Sequence, residues 1–238
     1  MSFRKTDRSK LNAAAVCFAV ILLCVVMALA DGVFSLPYAQ KSITKIAAFA
    51  VVPTLIGLFC RDISPLAAFL SPVEDKKARR AVYIFAICGG AVLCGLIIGG
   101  YFLLRGVIDF SGVTENLAGG EGVGRENFPI VAVYITLCNS FLEEFFFRGF
   151  AFLALGRVAG KKFACIFSAA AFSVYHAAIL DGWFSPLVFI LMLVGLFVGG
   201  LFFNLLADKG GSIFPSWLLH MAANLGINTV GLVLFGIL

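Results

Sequence analysis

The feature that most constrains this chain is a series of long apolar stretches, near 11–30, 43–60, 81–104, 128–155, 163–180, 186–206 and 213–238. About 20 apolar helical residues cross the ~30 Å hydrocarbon layer of a bilayer. A backbone in lipid must also satisfy its own hydrogen bonds, as a helix does. The expected fold class is all-α: a polytopic membrane helix bundle of about seven transmembrane helices, with six to eight as the range. The second and fifth stretches are the shortest, and the last can break near Asn224-Leu225-Gly226. Gly95/Gly99 and Gly195/Gly199 recur at four-residue spacing inside spans and predict close helix packing there. Composition agrees with the lipid reading: 61% of residues are hydrophobic and 13% charged, where soluble domains have about 45–50% and 25%.

Charge fixes the expected orientation. With the N-terminus inside, the inner segments hold Arg4, Lys5, Arg8, Lys10, Arg61, Lys76, Lys77, Arg79, Arg80, Arg157, Lys161, Lys162 and Lys209. The outer segments hold only Lys41, Lys45, Arg105 and Arg125. This asymmetry predicts a cytoplasmic N-terminus. The net charge of +5 is spread over several loops, so nucleic acid is not an expected partner. The seven cysteines are odd in number, lack CxxC spacing and mostly fall in apolar runs, and so read as small buried hydrophobes. "GGEGVG" (119–124) lacks the strand, helix and Lys-Ser/Thr of a phosphate loop and reads as a flexible connection.

Against this background "FLEEFFFRGF" (141–150) is costly. Facing lipid, Glu143, Glu144 and Arg148 would together cost roughly 8–10 kcal/mol, while the five phenylalanines return about 2–3 kcal/mol. These groups must face the bundle interior, pair or touch water. Glu144 and Arg148 stand at i,i+4 in the favourable order for an ion pair. Glu143, about 100° around the helix, is left to point elsewhere.

The chain has two histidines, and both lie in other spans. "FSVYH" (172–176) ends in His176, and "HMAAN" (220–224) sets His220 and Asn224 on one face. Counted at 1.5 Å per residue from the nearest inner lysine or arginine, Glu143, His176, His220 and Asn224 lie at about 16–22 Å. A carboxylate, two imidazoles and an amide at one depth suit hydrolysis by an activated water in a cavity reached from the cytoplasm. Glu143 and His176 would take the proton, and His220 with Asn224 would stabilise the oxyanion. The same Glu143, His176 and His220 are also a ligand set for a divalent metal, zinc, with one position open for water. A proton relay uses such groups too, which keeps a proton-coupled transporter as an alternative. Neither HExxH nor GxSxG is present.

"EEFFFR" (143–148), "FSVYH" and "HMAAN", together with "LVGLFVGG" (193–200) and "GGSIFPSWLLH" (211–220), resemble in order and spacing the motifs of the CPBP family. That family is also called the type II CAAX prenyl protease or bacteriocin-processing group. The resemblance covers about 128–230 and implies residues 1–127 as N-terminal transmembrane helices with connecting loops, and 128–238 as a catalytic helix core, one integral membrane domain overall. It implies a CAAX-type intramembrane endopeptidase acting on a membrane-associated or hydrophobic protein or peptide. Glu143, His176, His220 and Asn224 are its catalytic residues, and Glu144 with Arg148 supports the motif helix. Family names include "metalloprotease", while a metal-free glutamate mechanism is argued for relatives; an asparagine one turn after His220 favours the metal-free form. A non-proteolytic bacteriocin-immunity or peptide-binding role on the same scaffold is the other alternative. The short chain without targeting extensions points to a prokaryotic cell membrane, with membrane lipid and substrate as partners. Oligomeric state is not set by the sequence.

Overall fold

A computed structural model describes residues 2–34, 36–70 and 76–238, with side chains given from residue 7 onward apart from Leu70. Among the described residues the regular structure is helical, and seven helices are long and apolar enough to cross a membrane. They are α1 (Asp7–Val33), α2 (Tyr38–Phe59), α3 (Lys76–Leu104), α4 (Phe128–Ala159), α5 (Lys161–Leu180), α6 (Pro186–Gly210) and α7 (Phe214–Leu234). The chain is an integral membrane protein. Arg4 and Lys5, counted on the inner side above, have side chains outside the described ones.

Local sequence sets the helix ends. Pro129, Pro186 and Pro215 sit in the first turns of α4, α6 and α7, where a missing N–H costs nothing. Gly160 separates α4 from α5 at φ 90°, and Gly211 closes α6 at φ 65°. Both are left-handed positions that favour glycine. The seventh span does not break at Asn224-Leu225-Gly226 but runs unbroken to Leu234. The connection around "GGEGVG" is partly ordered: a helix covers Ser111–Gly120, and Asn127 braces the next turn by accepting from the Gly124 N–H at 2.8 Å.

α4 is the axis of the bundle, with 44% of its most apolar window buried, against 11% for α3 and for α6. It packs against α1, α2, α5, α6 and α7. Phe146, Phe147 and Phe150 of α4 meet Phe49 of α2 and Val16, Val20 and Met27 of α1. The Phe49 and Phe146 rings stack at 4.1 Å between centroids. Large side chains such as Phe18, Ile21, Leu96 and Ile190 face outward, as a lipid-facing surface requires.

Two packing expectations are corrected. Gly95, Gly99, Gly195 and Gly199 have nothing within 4 Å of an added Cβ; the close approaches occur elsewhere, at Gly90 on Ala222 (2.8 Å), Gly226 on Cys94 (3.1 Å) and Gly200 on Ala169 (3.1 Å). The four-residue spacing was right for a helix face, but that face points away from the bundle. The cysteines are free, as expected, yet Cys88 and Cys138 are exposed and the rest only half-buried.

Candidate active site

α4 is not a uniform α-helix. Its turns widen to π geometry over Ile135–Asn139 and again over Glu144–Ala154, with the α turn Ser140–Glu143 between them. Wide turns misalign backbone hydrogen bonds and recur at functional sites. Here neighbouring helices supply donors to the carbonyls. Asn228 of α7 donates to Ala132 O (3.0 Å), and Asn224 donates to Ile135 O (3.2 Å). Ser168 of α5 donates to Phe147 O at 2.7 Å.

The two glutamates at the junction face different ways. Glu144 Oε1 lies 3.1 Å from Arg148 Nη1, the expected i,i+4 pair, with both side chains fully buried. The angle does not make this a hydrogen bond, and the guanidinium nitrogens find no acceptor among the described residues. The cation is held instead between the Phe172 and Phe203 rings, at 4.2 and 4.8 Å. The same Glu144 Oε1 accepts from His220 Nδ1 at 2.9 Å. Glu144 thus does more than support its helix: it orients an imidazole on α7.

Glu143, 2% exposed, turns to α2. Its Oε1 accepts from Lys45 Nζ at 2.5 Å and from Asn139 Nδ2 at 3.1 Å. Its Oε2 faces His220 Nε2 at 3.6 Å and His176 Nε2 at 3.8 Å. His176 Nδ1 bonds the Phe172 carbonyl at 2.7 Å. A carbonyl and a carboxylate can only accept, so both imidazoles carry their proton on Nδ1. Both Nε2 atoms face the free oxygen of Glu143. Among the expected site residues Glu143, His176 and His220 converge, and Glu144 and Arg148 stand directly behind His220. Asn224 is different: its amide donates to α4 rather than toward Glu143.

Lys45 and Asn139 are the residues that sequence reasoning missed. Lys45 was counted among the outer loop charges, yet it lies inside α2 and is 6% exposed. A lysine beside the shortest type of span, opposite an unpaired intramembrane glutamate, was the available signal. Asn139 stands one turn before Glu143 on α4, within reach by i,i+4 spacing alone. Cavities open at both ends of the bundle. One of about 480 Å³ is lined by Lys76, Arg79, Arg80, Tyr83 and Ser212. The other, about 230 Å³, is lined by Asp31, Lys41, Glu121, Asp181 and Trp183. Neither lining includes Glu143, His176 or His220, so the chamber expected from the cytoplasmic side is not either of these.

A bundle of seven membrane-length helices that gathers a carboxylate and two imidazoles from three of them is a polytopic membrane protein with a buried polar site. Residues 125–226, from the approach to α4 into the first half of α7, match the family model Type II CAAX prenyl endopeptidase Rce1-like. Over that segment, which is under half of its length, the chain is similar to the CAAX-type intramembrane proteases. No curated protein and no solved structure matched the chain.

Proposed function

We propose that the chain is a CAAX-type intramembrane protease that cleaves a peptide bond in a hydrophobic or membrane-associated protein or peptide, with Glu143 as the general base. The observation that carries the reading is the convergence of Glu143 Oε2 with two imidazole Nε2 atoms, at 3.6 and 3.8 Å. A water seated among Oε2 and the two Nε2 atoms donates one hydrogen bond to Oε2 and one to an Nε2. As it attacks a carbonyl, a single proton passes to Glu143 or the imidazole and the other stays on its oxygen. The proton held by Glu143 or the imidazole then goes to the departing amine.

With both Nδ1 protons committed, a neutral His220 has no N–H to offer an oxyanion. In this reading His176 and His220 hold the water, and His220 donates from Nε2 only after accepting a proton there. Asn224 serves the oxyanion only by releasing Ile135 O.

Zinc is the rival for the same place, and the residues do not fit it. Glu143, His176 and His220 are suitable donors in kind. However, the carboxylate is already paired with an ammonium at 2.5 Å, whose charge opposes a dication. Among the described residues, no group of three or more His, Cys, Asp or Glu is arranged to hold an ion. No step here passes through a metal.

The charge distribution supports a cytoplasmic N-terminus even with Lys45 removed from the outer set, and we place the protein in a prokaryotic cell membrane. Residues 128–238 form the core of the site, but Lys45 makes 1–127 more than a scaffold. The test is turnover of an internally quenched lipidated peptide ending in a CAAX sequence, and of the unlipidated peptide, by purified protein in detergent. Glu143→Gln and His176→Ala should abolish cleavage without loss of folding. Cleavage at the parent rate by either variant removes the proposed role. An immunity or sequestering function would instead survive both substitutions, and a transporter would show Glu143-dependent proton flux in proteoliposomes.

A further inference from the structure

Lys45 is a cation at depth, and its partner is the one carboxylate to which the hydrolytic reading gives a chemical task. The side chain leaves α2 and meets α4 across 98 residues of sequence. Its Nζ lies 2.5 Å from Glu143 Oε1 and 2.5 Å from Asn139 Oδ1, while Asn139 Nδ2 donates to the same Oε1 at 3.1 Å. The Tyr175 and Phe49 rings lie 5.1 and 5.6 Å from the ammonium. Lys41, one turn earlier, is committed to Asp31 at 2.7 Å and Glu121 at 2.9 Å, so it does not substitute.

This triangle does something a lone ion pair does not. A glutamate's terminal torsion is broad and nearly two-fold, so an unheld carboxyl group turns freely between orientations. Two donors on Oε1, from different helices, fix the plane of the group and leave Oε2 as the oxygen presented to both imidazoles. An isolated carboxylate away from water is also costly to keep charged, and the ammonium supplies the countercharge.

We propose that Lys45 is a positioning residue for hydrolysis, holding Glu143 Oε1 so that a charged Oε2 faces the water site between His176 and His220. This rests on the proposed role of Glu143, and the tests separate the two. The first needs no substrate. A hydrophobic carbodiimide adds to protonated carboxyl groups within the membrane, and peptide mass spectrometry locates the adduct. The parent and Lys45→Arg should stay unlabelled at Glu143, while Lys45→Met becomes labelled. Labelling of the parent as fast as Lys45→Met overturns the proposal. Where Lys45→Met does not fold, Lys45→Gln, which keeps a donor without the charge, takes its place.

The second test uses the quenched lipidated peptide. Misplacing a reacting group by about 1 Å costs about 100-fold, so Lys45→Met should lose about that much kcat with KM unchanged, and Lys45→Arg should recover most of it. A purely structural lysine would lower the melting temperature and the folded fraction while kcat per folded molecule stayed at the parent value; that result overturns the proposal. Glu143→Gln active at the parent rate defeats the reading of the site itself. Glu143→Gln inactive with Lys45→Met fully active defeats only the role of Lys45.

Discussion

Glu143 and Glu144 are adjacent on α4 and almost equally cut off from solvent, yet the bundle treats them oppositely. Glu144 is boxed in: Arg148 from its own helix and His220 from α7 both meet its Oε1. Glu143 has one oxygen pinned, by Lys45 and Asn139, and the other facing the Nε2 atoms of His176 and His220. The roughly 100° between neighbours on a helix separates a carboxylate that orients a histidine from one left open to reactive chemistry. Glu144 Oε2 is itself buried without a hydrogen-bond partner among the described residues, so neither burial nor a free oxygen sets the two apart. What does is that Glu143 Oε2 faces the Nε2 atoms of His176 and His220.

The sharpest way to break this contrast is to neutralise each glutamate in turn. Glu143→Gln should abolish turnover, by about 10²–10⁴-fold as expected for loss of a general base, with melting in detergent little changed. Glu144→Gln should retain measurable activity, reduced by about 10–100-fold, since groups that orient a reactive histidine act at this scale. Equal losses in the two variants would show that the carboxylates work as one unit.

Next in size is Arg148→Ala. It strips the fully buried Glu144 of its countercharge and removes the cation from between Phe172 and Phe203. Breaking a buried pair from one side costs about 3–5 kcal/mol. We expect a large fall in melting temperature together with lower activity through His220. Unchanged melting would mean that neither the pair at 3.1 Å nor the seat between the two rings contributes net stability.

What the sequence disclosed follows the same division. Glu144 and Arg148 were readable because a helix brings i and i+4 together whatever surrounds it. The spans were readable from their length in apolar residues, and His176 and His220 from their depth. Lys45 was not, because its partner is set by α2 lying beside α4, a neighbour relation that spacing does not encode. Asn224 was placed on one face of α7 with His220, but its acceptor is set by how α7 packs on α4: it adds a second donor to Ile135 O, which also takes the Ser140 N–H of the π turn. The glycine pairs failed for the complementary reason: spacing gives a face of small residues but not which way it points.

A smaller effect tests that bracing role. Asn224→Ala removes one of two donors to Ile135 O, at 3.2 Å, and leaves the Ser140 N–H in place; it should cost about 0.5–1.5 kcal/mol. Asn228 still holds Ala132 O beside it. If Asn224→Ala melts as the parent does but loses turnover, the amide acts in the reaction and releases α4 when substrate binds.

The smallest expected effect separates the two chemistries that the glutamate at 143 can support. A zinc-held water would make turnover depend on a removable ion, whereas a carboxylate paired to an ammonium works without one. Exhaustive treatment with 1,10-phenanthroline, followed by turnover of the lipidated peptide, should leave the rate unchanged, and elemental analysis of the purified protein should show no stoichiometric zinc. Loss of activity restored by added zinc would reassign Glu143, His176 and His220 as metal ligands. It would also require Lys45 to leave Oε1 or lose its proton, because 2.5 Å puts two like charges on one carboxylate. The contrast between the two glutamates would survive that outcome, since Glu144 would still hold the Nδ1 of His220 and leave its Nε2 free to bind.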